Sequence, residues 1–464
     1  MPKPHDSDES KPMLIDDVVL KVLTFCDIYT VLTASQASKR LHALAFSKST
    51  WLALLSYLHQ RSTIDLPPDE RLDAYTTSGL IDLVKHIIQG PQSWLPTSAA
   101  HNPGPTLSHQ IILKPEIQLG PGILFWENEP QLLPGGRFVV FQNSGKLECW
   151  SVALRELIWT YHSDMERYRV DTFTAETVDE GRRAVILIGI RVYEDGPRKN
   201  LIEVVNLDLV TGTSRSLLRK RAPDTSHDNP FYRFHVQGDY AIVGMHHTEW
   251  IMIIQISTTT KRTFNISNMY CDMDLIPGYL ILSTLRTKSE SSSVLDVRLW
   301  PIETLLEAPD GALIDSIAPL ATEPIELNAL NASVTFRLSA HLSPLRTDQS
   351  ILWVLVSSLS PLLALVRKYH VSHYAGQRPT IRCVKAWERT DTVIYVPRDT
   401  SRISYAGYAE TFWALKNYIY SLGPPNVEST VVRLLGRGDH MHMSAYSGAL
   451  TYATHESVVV NYYA

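Results

Sequence analysis

The side chains able to do chemistry in this sequence are few and scattered. His440 and His442 alternate on what reads as a strand, which would turn both imidazoles to one face, and His246-His247 precede Glu249. Two same-face imidazoles could begin a zinc site, but such a site needs a third protein ligand that the neighbouring sequence does not supply, so structural histidines are expected. Glu127 and Glu129 also share a strand face and could pair as acid and base; a solvated strand end before Pro130 is the expected reading. Cys26, Cys149, Cys271 and Cys383 lie far apart without zinc-like spacing and read as reduced, buried thiols. There is no G-x-S-x-G elbow, no phosphate-binding Gly-rich loop and no H-E-x-x-H helix. The sequence therefore points to no catalytic residue, no metal and no cofactor.

Composition narrows the remaining classes. The chain has 464 residues with 44% hydrophobic and 20% charged content, ordinary values for a protein that folds around a core. Its formal charge of −5 is spread along the chain, and no stretch concentrates Lys and Arg as a nucleic-acid binder would. The polar, acidic start MPKPHDSDESKP lacks the basic flank and apolar core of a secretory signal, so cytoplasm or nucleus is expected. Without export, Arg437-Gly438-Asp439 and the glycan-type triplets at Asn265 and Asn331 read as coincidences. The most apolar run, Ile351 to Val366, is shorter than the roughly 20 residues of a membrane span and is broken by Ser360-Pro361; two buried strands around a turn are expected.

The elements that would position a site fall into two regimes. From Pro12 to Ile88 the pattern is helical: Leu14, Val18, Val22 and Phe25 recur at spacings of three and four, with Asp16 or Asp17 as a cap. Helix-like runs follow at Val31 to Leu44, at Trp51 to Leu58 after Ser49-Thr50, and after Ser78 up to Gly90-Pro91. A Pro-, Gly- and Ser-rich connection then leads into short β-branched and aromatic runs that continue to the C-terminus, among them Tyr240 to Met245, Tyr279 to Thr284 and Ser457 to Tyr463.

Several of these runs are alike. LECWSVALRELIW from Leu147, EVVNLDLVTGTSRSL from Glu203, MIIQISTTTKRTF from Met252 and VLDVRLWPIETLL from Val294 each join two apolar runs by a short turn, about 45 to 55 residues apart, a blade length. The repeat loosely resembles WD-type propeller blades, with Trp150 and Trp300 at the strand-ending position and Ser151 and Pro301 where that family has Asp. An antiparallel propeller of six to eight blades is the expected fold of residues 108–464; a sandwich pair or a solenoid is the alternative. The whole chain would be α+β and multidomain, with a disordered tail over 1–11, a helical domain over 12–58, and a helical extension and linker over 59–107.

The helical head resembles the F-box. Leu14-Ile15-Asp16-Asp17 opens the motif, Val18, Val22, Leu23 and Phe25 supply the helix face, Val31 and Leu32 continue it, Ala37-Ser38-Lys39-Arg40-Leu41 is the middle signature and Trp51 the closing aromatic. Ile15 stands where the family has proline, and Cys26 where Leu is usual. Long fungal F-box-like proteins with a β-rich C-terminal region are similar in arrangement. The resemblance implies an adaptor-binding face of Leu14, Ile15, Val18, Val22, Leu23, Val31 and Leu32, braced by Phe25, Leu41 and Trp51. The implied partners are a Skp-type adaptor, through it a cullin-RING ubiquitin ligase, and a target protein held by the β region. Nucleic acid, membrane and a homo-oligomer are not expected partners. A propeller enzyme with a helical cap and a scaffold without ligase function are the alternatives from other classes.

Overall fold

The computed structural model describes residues 15–67, 70–91, 93, 106–116, 130–389 apart from short loops, and 441–464 apart from 455, together with strand backbone between 404 and 433. The loops left out within 130–389 are 144, 166, 194–198, 225–229, 246–249, 268–270, 290–291, 329–333, 360–361 and 374–377. Among the described residues no helix is long and apolar enough to cross a membrane.

Five α-helices form the head: α1 (Asp16–Leu23), α2 (Ile28–Ser35), α3 (Lys39–Ala45), α4 (Lys48–Gln60) and α5 (Thr77–Gln89). Local chemistry sets most of their ends. Asp27, Ser38, Ser47 and Thr76 each cap a helix by accepting the N–H of Thr30, Leu41, Thr50 and Gly79. Three readings are corrected by these caps. Ser47 caps α4, and Ser49-Thr50 lie inside it. Asp16 and Asp17 do not cap α1; they lie in its first turn, where their charge favours the helix dipole, and Ile15 is the cap residue. The run Val31 to Leu44 is not one helix, because Ser38 leaves the helical conformation and starts α3. Leu23, Ile28, Val31, Trp51, Leu54 and Leu58 fill the head's core together with Leu80, Val84 and Ile87 of α5.

The rest is mostly strand. β1 (Leu107–Leu113) is followed by β2–β5 (Gln131–Leu132, Phe138–Asn143, Lys146–Ser151, Glu156–Thr160) and β6–β9 (Tyr168–Val178, Arg183–Val192, Lys199–Asp208, Ser214–Ala222). Next come β10–β13 (Phe231–Gln237, Tyr240–Met245, Trp250–Gln255, Thr260–Asn265), then β14–β16 (Cys271–Ile276, Tyr279–Ser289, Ser292–Pro301), the short helix α6 (Ile302–Glu307), β17 (Ala312–Leu313) and β18 (Ala321–Leu327). The series ends with β19–β22 (Val334–Leu342, Gln349–Leu359, Leu362–Ser372, Thr380–Arg389), β23–β26 (Ser404–Ala406, Phe412–Leu415, Tyr418–Ser421, Val432–Arg433) and β27–β29 (Met441–Met443, Leu450–Ala453, Val458–Tyr463).

These strands pair in sequence order into seven sheets of four or five strands, a number within the expected six to eight units. Six sheets are wholly antiparallel, and β17 adds to the edge of the β10–β13 sheet in parallel. β1 pairs with β29, from Leu107 opposite Tyr463 to Leu113 opposite Val458, so one sheet holds both ends of the β region. The run Ile351 to Val366 falls in the hairpin of β20 and β21. Trp150 and Trp300 both lie on the third strand of their sheets, β4 and β16. Apolar clusters join consecutive sheets face to face: Val140, Cys149 and Ile186 between the second and third, Leu187, Val204 and Val243 between the third and fourth, Leu295, Leu352 and Val356 between the fifth and sixth. Hiding strand faces and edges in this way is what favours radial repetition.

Candidate functional site

Two features of the head bear on function: an exposed apolar row and a compartment under the head. The row is Ile15, Val18, Val22, Phe25 and Tyr29, all exposed, at spacings of three and four. α1 buries Leu23 and half-buries Val19 and Leu20, while Val18 and Val22 are left to solvent. Lys21 Nζ lies 5.0 Å above the Phe25 ring, and the Arg346 guanidinium 4.7 Å above Tyr29. Asp16 pairs with Arg40 at 2.5 Å at the edge of the row.

The structure differs from the sequence reading on three of these residues. Phe25, assigned to internal packing, is 79% exposed, because α1 ends at Leu23 and the turn sends Phe25 outward while Cys26 faces partly inward. Leu23 and Val31, assigned to the docking face, are 4% and 1% exposed and belong to the core. Ile15, Val18 and Val22 are exposed; Leu32 and Leu41 are half-buried; Trp51 is buried against Phe46. Leu14 lies outside the described residues, as do His440, His246, His247, Glu249, Glu127, Glu129, Asn331 and Arg437-Gly438-Asp439.

The second feature is a cavity of about 270 Å³ where the segment from Arg61 to Asp65 meets one edge strand from each of six sheets, β2, β6, β10, β14, β19 and β27. These strands are stitched to one another by polar side chains. Gln131 on β2 exchanges hydrogen bonds with the backbone of Ala175 on β6, at 2.9 and 3.2 Å. Glu176 on β6 accepts the Gly238 N–H at 2.6 Å. On β14, Asp272 accepts from Arg233 of β10 and, at 2.7 Å, from the Leu338 N–H of β19. Asp274 repeats the arrangement two residues on, with His235 Nδ1 at 3.1 Å and the Ala340 N–H at 2.7 Å. The period of two puts both carboxylates on one face of β14.

Burial dominates the electrostatics. It pushes the Asp274 carboxyl up to about 7 against the opposing hydrogen bonds from Ala340 and Leu275, and pushes Glu176 up to about 7. The same cause takes the His341 imidazole down to about 4. His442 lines the cavity. Among the described residues no three His, Cys, Asp or Glu side chains are grouped so as to hold a metal ion.

The head is fastened over this cavity through a buried carboxylate. Asp65 accepts the Gly135 N–H at 2.7 Å and the hydroxyls of Ser444 and, at 3.0 Å, Ser447. Burial raises its pKa, and those three hydrogen bonds act against the rise. Thr177 donates to Ser62 at 2.8 Å, the Tyr29 N–H donates to the Leu345 carbonyl at 3.1 Å, and Leu345 and Tyr446 pack on the head's core. Sequence reasoning missed Asp65, Asp272 and Asp274. The available signal for the last two was Asp-x-Asp alternating inside an apolar strand, echoed by Arg-x-His at Arg233 and His235.

No protein-family model matches the chain, and no curated protein matches it in sequence. Among solved structures it is similar to the WD40 domain of SCAP from fission yeast, at 10% identity and a TM-score of 0.38 over 72% of this chain and 84% of that one. It is also similar to apo AztD from Citrobacter koseri, at 11% identity and a TM-score of 0.36 over 68% of this chain and 76% of that one. The likeness is one of fold and carries no activity across.

Proposed function

We propose that this chain is an interaction protein of the F-box receptor type. Its head docks onto a Skp-type adaptor of a cullin-RING ubiquitin ligase, and its β region, a closed seven-bladed propeller, holds a target protein. The observation that carries the reading is the exposed row of Ile15, Val18, Val22, Phe25 and Tyr29. Val18 and Val22 on α1, with Ile15 at its cap, have the spacing that a helix lays into an apolar groove of a partner, and Phe25 in the following turn and Tyr29 on α2 extend the exposed set. Leaving five large apolar side chains together in water is unfavourable by roughly 1.5–3 kcal/mol for each one that a partner could bury fully.

The propeller reading is supported by the seven sequential sheets, by the β1–β29 pairing that joins the ends, and by the convergence of edge strands from six sheets on one cavity. The receptor makes no covalent bond; it raises the effective concentration of target lysines near a charged conjugating enzyme. It works in cytoplasm or nucleus as a single copy, without a cofactor, a nucleic acid or a membrane as partner. Affinity purification of the full chain with and without proteasome inhibition tests this reading. Adaptor and cullin subunits are expected in the purified complex, and their absence under both conditions rules the reading out.

A further inference from the structure

We propose that the adaptor-docking surface is composite: the turn between β19 and β20, part of the β region, positions Tyr29 for the partner, with Arg346 as the positioning residue. The inference rests on the reading of the exposed row as a docking face and adds a second part of the chain to that face.

Tyr29 differs from the rest of the row in where it stands. It is the second residue of α2, and it is 49% exposed. The first N–H groups of a helix have no partner within the helix, and here the Tyr29 N–H donates to the Leu345 carbonyl at 3.1 Å. Asp27 works at the same end: Oδ1 accepts the Thr30 N–H at 2.7 Å as the cap, while Oδ2 accepts the Thr347 N–H at 3.4 Å. The start of α2 is thus tied to a turn 320 positions away.

The side chains of that turn repeat the attachment. Leu345 packs on the head's core, and the Arg346 guanidinium lies 4.7 Å above the Tyr29 ring. Arg346 donates from Nε and Nη2 to the two carboxylate oxygens of Asp348, at 3.1 and 3.3 Å, a two-point pairing that fixes the plane of the guanidinium. Ser343 Oγ accepts the N–H groups of Leu345 and Arg346, at 3.3 and 3.1 Å, and so shapes the turn that carries the stack. With its fork on Asp348, Arg346 acts on the partner through Tyr29.

A tyrosine already held in place gives up less rotamer freedom when a partner covers it, and tyrosine is among the residue types that anchor interfaces. Ordering one such side chain costs about 0.5–1.5 kcal/mol, which corresponds to roughly threefold to tenfold in affinity. Docking therefore depends on a residue of the β region.

Calorimetric titration of the full chain with a purified Skp-type adaptor tests the proposal, using wild type, Arg346→Ala, Arg346→Lys, Tyr29→Ala and the Arg346→Ala, Tyr29→Ala double variant, each first shown to be folded by its melting curve. Arg346→Ala should weaken binding about threefold to tenfold. Arg346→Lys keeps a cation for the ring and should recover part of that loss. The double variant should bind no more weakly than Tyr29→Ala alone, a non-additive result that a general loosening of the turn would not give. If Arg346→Ala does not fold, Arg346→Gln takes its place in the same comparison. Wild-type affinity in the Arg346 variants, or losses that add in the double variant, overturns the proposal and leaves the docking reading standing. A wild-type chain that does not bind the adaptor overturns both.

Discussion

The Asp274 carboxylate on β14 accepts the backbone N–H of Ala340 on β19 at 2.7 Å, although the two residues belong to neighbouring sheets and lie 66 positions apart. Asp272 does the same for Leu338 at 2.7 Å and also receives Arg233 from the sheet on the other side. Register between consecutive sheets is thus held by buried carboxylates as well as by apolar faces.

Removing one of these carboxylates strands its partners. Asp272→Ala leaves the Leu338 N–H without an acceptor and the Arg233 guanidinium, 11% exposed, without its carboxylate. Breaking a buried pair in this way costs about 3–5 kcal/mol. Urea unfolding followed by fluorescence should show a loss of that order in Asp272→Ala; a change below about 1 kcal/mol would contradict the stitching role.

A pH dependence follows from the raised carboxyls. Asp274 sits at about 7 in the folded state against 3.8 ordinarily, so between those values the folded chain keeps a proton that the unfolded chain releases. Its contribution to stability is fully present below about pH 4 and is lost as pH rises through 7, at no more than about 1.4 kcal/mol per pH unit. Asp274→Asn is neutral throughout. The stability of wild type minus that of the variant should therefore fall between pH 4 and 7, read from urea midpoints at each pH; a pH-independent difference would contradict the raised value.

Docking of the head is open to the same test. Asp65→Ala removes the acceptor of the Gly135 N–H and of the Ser444 and Ser447 hydroxyls, with an expected cost of about 2 kcal/mol or more. Gly136→Ala should act alike from the other side of the junction. Gly136 has φ +73°, and a Cβ there would stand 2.9 Å from the Leu66 carbonyl oxygen. Both variants should speed proteolytic cleavage within 59–76 more than within the β sheets, as read by mass spectrometry; an unchanged cleavage pattern would mean that other contacts hold the head.

Deletion from Val458 onward removes the strand that joins β1 to β28, all six residues of which are buried. The loss opens two edges and exposes the Val139 and Phe141 side of the neighbouring sheet. The truncated chain should melt at lower temperature across the whole β region, measured by circular dichroism. A wild-type melting curve would show that the β1–β29 pairing is dispensable.

Elements with a strong period were legible in the sequence, and those that depend on distant partners were not. Tyr240–Met245 reads as a strand and forms β11, and Ile351 to Val366 reads as two strands and lies in the β20–β21 hairpin. The helix break at Ser38 was obscured by an apolar pattern that runs through it, although a serine ahead of Lys39-Arg40 is itself a cap signal. Phe25 carries the residue type of a core position; its exposure is decided by where α1 stops, an end that periodicity places only to within a few residues. Asp65, Asp272 and Asp274 look like solvated charges in the linear sequence. Each gains its role from N–H groups contributed by another part of the chain.

The central claim is that the exposed row on α1 and the turn after it is a docking face. The most direct measurement is the affinity of the purified full chain for a purified Skp-type adaptor, compared with that of the Val18→Asp, Val22→Asp double variant. Both side chains are exposed, so the variant should keep the wild-type melting temperature. Two charges buried in the contact should remove binding altogether, since each apolar anchor alone is worth about 2 kcal/mol and each 1.4 kcal/mol is about tenfold in affinity. A wild-type chain that does not bind the adaptor, or a folded double variant that binds it as tightly as wild type, would contradict the account.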